Sequence, residues 1–92
     1  MSDTFKVCES VGFQDAQPLM EEVDSFIEQS GSDIQIDFEA LVVTNSLVVA
    51  MMMSWYRSAA LKGKTINFLN LPAGVQKIVE ISGLDHVLPI KK

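Results

Sequence analysis

The stretch IQIDFEALVVTNSLVVAMMMSWYRSAALK, residues 34–62, decides how this chain folds. Its first residues alternate between apolar and polar, which predicts a half-buried β-strand. The apolar run ALVV then leads into Thr44, Asn45 and Ser46, and a methionine-rich helical pattern follows as far as Lys62. A hydroxyl group is therefore placed where a helix begins, beside unpaired N–H groups and a partial positive charge. We expect Ser46 to be the main functional residue, acting as a helix cap, as a phosphate acceptor or as a contact with a partner.

Before residue 34, the patterns predict a strand and an amphipathic helix. The segment Phe5–Val11 begins with apolar–polar alternation, which favours a first strand. Asp15 predicts the N-cap of the helix, Pro18 fits its first turn, and Gly31 follows its last residue. Apolar positions at helical spacing predict one buried face: Leu19, Val23, Phe26 and Ile27. The opposite face is acidic, and we interpret it as solvated rather than as a metal site: Glu21, Glu22, Asp24 and Glu28.

After residue 62, a further strand and helix are predicted. Gly63 fits the position that follows the methionine-rich helix, and Lys64–Leu69 alternates as a strand does. Pro72 fits the first turn of a last helix, which Gly83 ends. Strands and helices therefore alternate, which predicts an α/β fold with right-handed β–α–β crossovers. Ser46 is expected at the carboxyl end of a strand, where such folds bind ligands and partners.

Length, charge and cysteine content narrow the class of protein. We expect the 92 residues to form a single domain, residues 1–92, without a linker. A composition that is 48% hydrophobic with a net charge of −5 argues against sequence-independent binding of nucleic acid, which needs clustered Lys and Arg. Cys8 is the sole cysteine, so no internal disulfide can form, and a cytoplasmic location is expected. The N-terminal MSDTFKVCES has neither the basic leader nor the apolar core of a signal peptide.

The apolar residues of the deciding stretch allow two further interpretations. A membrane span over Leu41–Tyr56 is disfavoured, because Glu39 and Arg57 bound a run shorter than the roughly 20 residues that a span needs. The methionine-rich helix is apolar nearly all round, so some of its side chains must be exposed or covered by a partner. Methionine suits both adaptable binding surfaces and irregular gaps in a core, and the pattern does not decide between them.

Enzymatic interpretations have little support in the residues. His86 is the only histidine, and no motif supplies the orienting acid that a Ser46–His86 nucleophile pair needs. The segment ALKGKT lacks the GxxxxGK spacing of a phosphate-binding loop, so it is interpreted as a helix-ending turn. His86 is expected at the surface or in a capping position. We therefore predict a protein that is not an enzyme and uses no metal or other cofactor.

The order of these motifs resembles the STAS domain, the fold of anti-sigma factor antagonists and of sulphate-transporter tails. The resemblance rests on IDF, a turn, Asn45-Ser46 at a helix start, and LKGKTINFLNLPAGVQKIVEISGLDHVLPI, with SGLDHVLPI as its most specific part. It implies a small mixed sheet covered by helices. The short N-terminal region is similar to the MlaB-like STAS subunits of Mla phospholipid ABC transporters, which bind the cytoplasmic ATPase and support its assembly and activity.

The resemblance also implies where partners bind. At the junction where STAS domains carry an acid, a hydroxyl residue, a small residue and Gly, this chain has Asn45, Ser46, Leu47 and Val48. We expect the partner contact at these four residues and Met51, with an ABC ATPase as partner and the inner membrane reached through it. The alternative is an anti-sigma factor antagonist whose Ser46 is phosphorylated by an anti-sigma serine kinase. A homodimer through the apolar helix stays open.

Overall fold

In the part of the chain that the structure describes, four strands and three helices alternate; the sequence predicts the three helices and the first three strands, but not the short fourth strand. A computed structural model describes residues 3–8, 12–42 and 46–91. The elements are β1 (Asp3–Lys6), α1 (Phe13–Gln29), β2 (Asp33–Asp37), α2 (Ser46–Leu61), β3 (Thr65–Leu69), α3 (Ala73–Ile81), a 3₁₀ turn (Leu84–His86) and β4 (Ile90–Lys91). Within these ranges, no helix is long and apolar enough to cross a membrane.

The sheet has the spatial order β1-β2-β3-β4, and each of the three strand pairs is parallel. The expected α/β fold is confirmed, but the expected mixed sheet is wrong for the strands described. Each crossover moves to the next strand in the same direction, so right-handed crossovers put all three helices on one face of the sheet. Helix α2 accordingly contacts both α1 and α3.

The two faces of the sheet differ in burial because successive strand residues point to opposite sides. The face under the helices is apolar and fully buried, and includes Ile34, Ile36, Ile66 and Phe68. The other face is polar and only half-buried at its centre, where Gln35 accepts a hydrogen bond from the Thr4 hydroxyl at 3.2 Å. One face of the sheet therefore builds the core and the other stays open.

Helix α1 begins earlier than the sequence pattern predicts. Gly12 is its N-cap, and Asp15, expected to be the cap, instead lies three residues later and accepts a hydrogen bond from the Gly12 N–H at 3.1 Å. Aspartate is favourable in both positions, because both place a carboxylate near unpaired N–H groups. Pro18 consequently lies past the first turn, where its ring removes one hydrogen bond within the helix. The predicted apolar face is confirmed, with Val23 and Ile27 fully buried.

The predicted strand boundaries also need correction. Strand β1 lies at Asp3–Lys6, whereas the predicted strand began at Phe5 and ended among residues 9–11, which are outside the described part of the chain. The apolar run after β2 is not a continued strand. Strand pairing stops at Asp37, so Leu41, which is buried, and Val42, which is 76% exposed, lie in a loop.

Three aromatic side chains fix α2 against the sheet. The ring centroid of Phe38 lies 6.5 Å from that of Trp55 on α2 and 6.1 Å from that of Phe68 on β3. All three side chains are essentially fully buried, and such aromatic pairs stabilise a core beyond the area that they bury. Phe38 therefore joins the end of β2 to both the helix and the neighbouring strand.

Lys64 ties the start of β3 to the end of α1. Its ammonium donates hydrogen bonds to the carbonyl oxygens of Ile27 at 2.6 Å, Glu28 at 3.0 Å and Ser30 at 2.8 Å. The last turn of α1 contains no basic residue of its own. A cation from another element thus satisfies the unpaired carbonyls and the partial negative charge at this helix end.

We predict that Lys64→Met lowers the free energy of unfolding by about 1–3 kcal/mol, because the half-buried carbonyls lose a charged donor. Urea unfolding followed by circular dichroism measures the change. Lys62→Met is the matched control, since Lys62 is exposed and, among the described residues, its ammonium bonds only to the Ser58 hydroxyl, at 3.2 Å. Its expected change is within about 0.5 kcal/mol. Equal losses in the two variants would contradict the role of Lys64.

Asp37 fixes the turn that follows β2. Its Oδ1 accepts the backbone N–H of Glu39 at 2.9 Å and the side-chain amide of Asn70 at 3.0 Å. Asp37 is 8% exposed, and Asn70 has a left-handed backbone with φ of 55°, which asparagine tolerates better than most residues. The carboxylate therefore holds together the chain ends of β2 and β3, from which the loops to α2 and α3 depart.

We predict that Asp37→Ala destabilises the domain by about 2 kcal/mol and speeds hydrogen exchange at the Glu39 amide, because both donors lose their acceptor. Asp37→Asn keeps an oxygen at the same position, and its expected cost is below about 1 kcal/mol. Urea unfolding and exchange monitored by NMR make the comparison. If the two variants behaved alike, the acceptor geometry would not be what fixes this turn.

Candidate functional site

The start of α2 carries the hydroxyl that the sequence singles out. Ser46 is the first residue of the helix and its side chain is exposed. Strand β2 ends at Asp37, and the following loop returns the chain to α2 on the side of the sheet where the parallel strands end. Asn45, which the sequence predicts at the same partner contact, lies outside the described residues. The first turn of α2 contains no acidic residue, so its partial positive charge is available to an acceptor group.

The other residues expected at the contact differ in exposure. Leu47 is half-buried and packs against the core while keeping part of its surface accessible. Val48 is 1% exposed and Met51 is 3% exposed, so the expectation that they form an outer contact surface is corrected. Val48 faces the core, and Met51 reaches the surface only as part of a groove. Periodicity could not tell these positions apart in a helix that is apolar nearly all round.

The methionine-rich helix owes most of its apolar character to the core. Helix α2 lies between α1, α3 and the sheet, so several of its sides are covered at once. Its buried residues are Val48, Val49, Met51, Met52, Trp55 and Ala59. The interpretation of the methionines as fillers of the core therefore holds for Met51 and Met52.

A groove runs between α1 and α2 and begins beside Ser46. We call it the α1–α2 groove; its volume is about 230 Å³. It is lined by Ala16, Gln17 and Met20 from α1 and by Leu47, Ala50 and Met51 from α2. The three residues of α1 were not among the candidates from the sequence. The sequence does contain a pattern that indicates two of them: Ala16 and Met20 are apolar, lie one helical turn apart and adjoin the predicted buried face of α1.

A second depression lies at the carboxyl ends of β1 and β2. It has a volume of about 340 Å³ and is lined by Lys6, Asp37, Glu39 and Ala40. Asp37 is already engaged by two hydrogen bonds, which fix the adjacent turn. This depression therefore borders the loop that leads to Ser46, and its lining is more polar than that of the α1–α2 groove.

His86 lies in a different part of the surface. Its Nε2 is 3.8 Å from a carboxylate oxygen of Asp85, and it lines a depression of about 240 Å³ beside α3 and β4. Ser46 is not part of that depression. Within residues 3–8, 12–42 and 46–91, no three His, Cys, Asp or Glu side chains are grouped closely enough to hold a metal ion.

Two solved structures share this fold. A protein of Thermotoga maritima assigned as an anti-sigma factor antagonist superposes with a TM-score of 0.80 at 14% sequence identity, covering 98% of this chain and 80% of the other. The anti-sigma factor antagonist SpoIIAA in its unphosphorylated form gives 0.76 at 17% identity, with coverages of 99% and 80%. At such identities, the likeness shows the fold alone. No sequence among curated proteins matches the chain.

Family membership rests on a sequence match. The family model described as "Mlab, STAS domain" matches residues 2–89, which is nearly the whole chain. The alternating α/β architecture and the fold of the two solved structures agree with that match. The chain therefore belongs to the MlaB-type family of STAS domains.

Proposed function

We propose that this chain is a non-enzymatic interaction subunit, acting as a single STAS domain that binds the ATPase of a phospholipid-transporting ABC complex. It works in the cytoplasm and reaches the inner membrane through that ATPase. The observation that carries the proposal is the match of residues 2–89 to the MlaB-type family. The contact is proposed at the start of α2, where Ser46 is exposed beside the partly accessible Leu47.

The local chemistry at this position suits a lasting contact. An exposed hydroxyl can donate or accept a hydrogen bond, while the first turn of α2 offers backbone N–H groups to an acceptor on the partner. Leu47 and Ala50 add apolar surface next to these polar groups, as the lining of the α1–α2 groove. Such a combination of buried apolar contact and a few oriented polar groups is typical of stable protein interfaces.

A second candidate function shares the same residue. The similarity of fold to SpoIIAA, together with the exposed hydroxyl of Ser46, supports an anti-sigma factor antagonist controlled by phosphorylation at Ser46. A phosphate would add a charge of about −1.5 to −2 at the contact and disrupt docking on the kinase. Asn45, Leu47 and Val48 replace the acid and small residues that usually surround that serine, which favours the constitutive contact with the ATPase.

The first experiment is affinity purification of the tagged full chain from its native host, followed by identification of the bound proteins. We predict recovery of an ABC ATPase with its membrane subunits, and at least a tenfold loss of that ATPase with Ser46→Asp, because a carboxylate must be desolvated at the contact. A negative charge in the first turn stabilises a helix, so this variant should still fold. Ser25→Asp, at an exposed position within α1, is the matched control and should retain the ATPase.

The same experiment separates the two candidate functions. Recovery of an anti-sigma kinase, with a phosphate on Ser46 that disappears in Ser46→Ala, would replace the transporter proposal by the antagonist function. If Ser46→Asp retained the ATPase as fully as Ser25→Asp, Ser46 would not be part of the contact. Absence of an ABC ATPase from the wild-type complex would overturn the transporter proposal itself.

A further inference from the structure

The α1–α2 groove has a chemistry that suits one kind of occupant. Its walls are apolar at Ala16, Met20, Leu47 and Ala50, and its floor includes the nearly buried Met51. A volume of about 230 Å³ falls below the roughly 300–1,000 Å³ of most small-molecule sites. The groove therefore suits side chains of another protein better than a free metabolite or cofactor.

The edge of the groove formed by α1 is acidic. Gln17, which lines the groove, donates a hydrogen bond from its side-chain amide to the Glu21 carboxylate at 3.0 Å, and so holds that charge at the edge. Asp24 lies one turn beyond Met20 on the same side of the helix. Helix α1 contains no Lys or Arg, and its acidic residues are Asp15, Glu21, Glu22, Asp24 and Glu28.

Asp24 provides an independent sign that a donor is absent from this edge. Its Oδ1 is buried and has no hydrogen-bond partner among the described residues. A carboxylate that lacks a donor within its own chain adds uncompensated negative charge to the α1 edge, and this charge attracts basic side chains of a partner. Helix α2, on the opposite side of the groove, contains one basic residue, Arg57. Arg57 lies two helical turns beyond Ala50, so it does not neutralise the acidic edge formed by α1.

We propose that the α1–α2 groove docks a short amphipathic helix of the partner protein, with apolar residues facing the groove and Lys or Arg along the edge next to α1. An apolar helix face laid in a groove between two helices is an established mode of recognition. Charge complementarity selects a basic segment, because the net charge of this chain is −5 and its α1 edge has no basic residue. The inference rests on the proposed function in that it describes the part of the partner that binds beside Ser46.

A synthetic amphipathic helix of Leu and Lys is the probe, and the same peptide with Glu in place of Lys is its control. Methyl NMR of the intact chain with ¹³C-labelled methionines reports the site. We predict that the Lys peptide shifts the methyl signals of Met20 and Met51 in a saturable manner and leaves that of the fully buried Met52 nearly unchanged. The affinity should fall as salt is raised, and the Glu peptide should bind at least tenfold more weakly.

Two variants on one helix locate the binding. Ala50 and Ala60 are both exposed on α2, but only Ala50 lines the groove. Ala50→Lys should weaken the Lys peptide at least tenfold, through steric and charge repulsion, whereas Ala60→Lys, with the same change of charge, should bind as the wild type does. Equal binding by the two peptides, equal binding by the two variants, or no shift at Met20 and Met51 would overturn the proposal.

The groove proposal and the transporter proposal can fail independently of each other. If the ATPase were lost with Ser46→Asp but retained with Ala50→Lys, the groove proposal would fail while the proposed function stood. If no ATPase were recovered by the wild type but the Lys peptide bound as described, the proposed function would fail and the groove would remain a docking site for a basic helix.

Discussion

The packing of Phe38 against Trp55 and Phe68 is the constraint on which the rest of the fold depends. Phe38 directly follows β2, so its burial fixes the point at which the chain leaves the sheet. Trp55 lies in the middle of α2, and its contact with Phe38 sets the rotation of that helix about its axis. Once this rotation is set, Val48 and Met52 must face the core, and Ser46 and Ala50 are left at the surface.

Two polar interactions hold the ends of the elements that this packing brings together. At the carboxyl edge of the sheet, Asp37 joins the turn after β2 to Asn70 after β3. At the opposite edge, Lys64 joins β3 to the last turn of α1. Each end of the sheet is thus supported by hydrogen bonds between residues far apart in the chain, and Asp37 supports the end at which the chain runs on to Ser46.

The sequence predicted the α/β class and the order of the three helices and the first three strands, because strand alternation and helix periodicity are local signals. Strand β4 was missed, since its two residues are too few to show an alternation. The sequence located the end of α2 at Gly63, whose φ of 68° is the left-handed conformation that glycine allows. The sequence did not predict which side chains of α2 are exposed. Val48 and Met51 were expected at the surface but are buried, because their exposure depends on which sides of α2 are covered by α1 and the sheet. The groove residues of α1 were missed because a groove belongs to two helices at once.

The lengths of the edge strands have a consequence for how this domain can change over evolution. Strand β1 has four residues and β4 has two, so the described sheet edges offer few backbone groups for the addition of a foreign strand. Recognition is left to side chains on helices, where single substitutions alter a contact without disturbing any ladder of strand hydrogen bonds. A fold built in this way can keep its backbone while its sequence diverges, in keeping with TM-scores of 0.80 and 0.76 at only 14% and 17% identity.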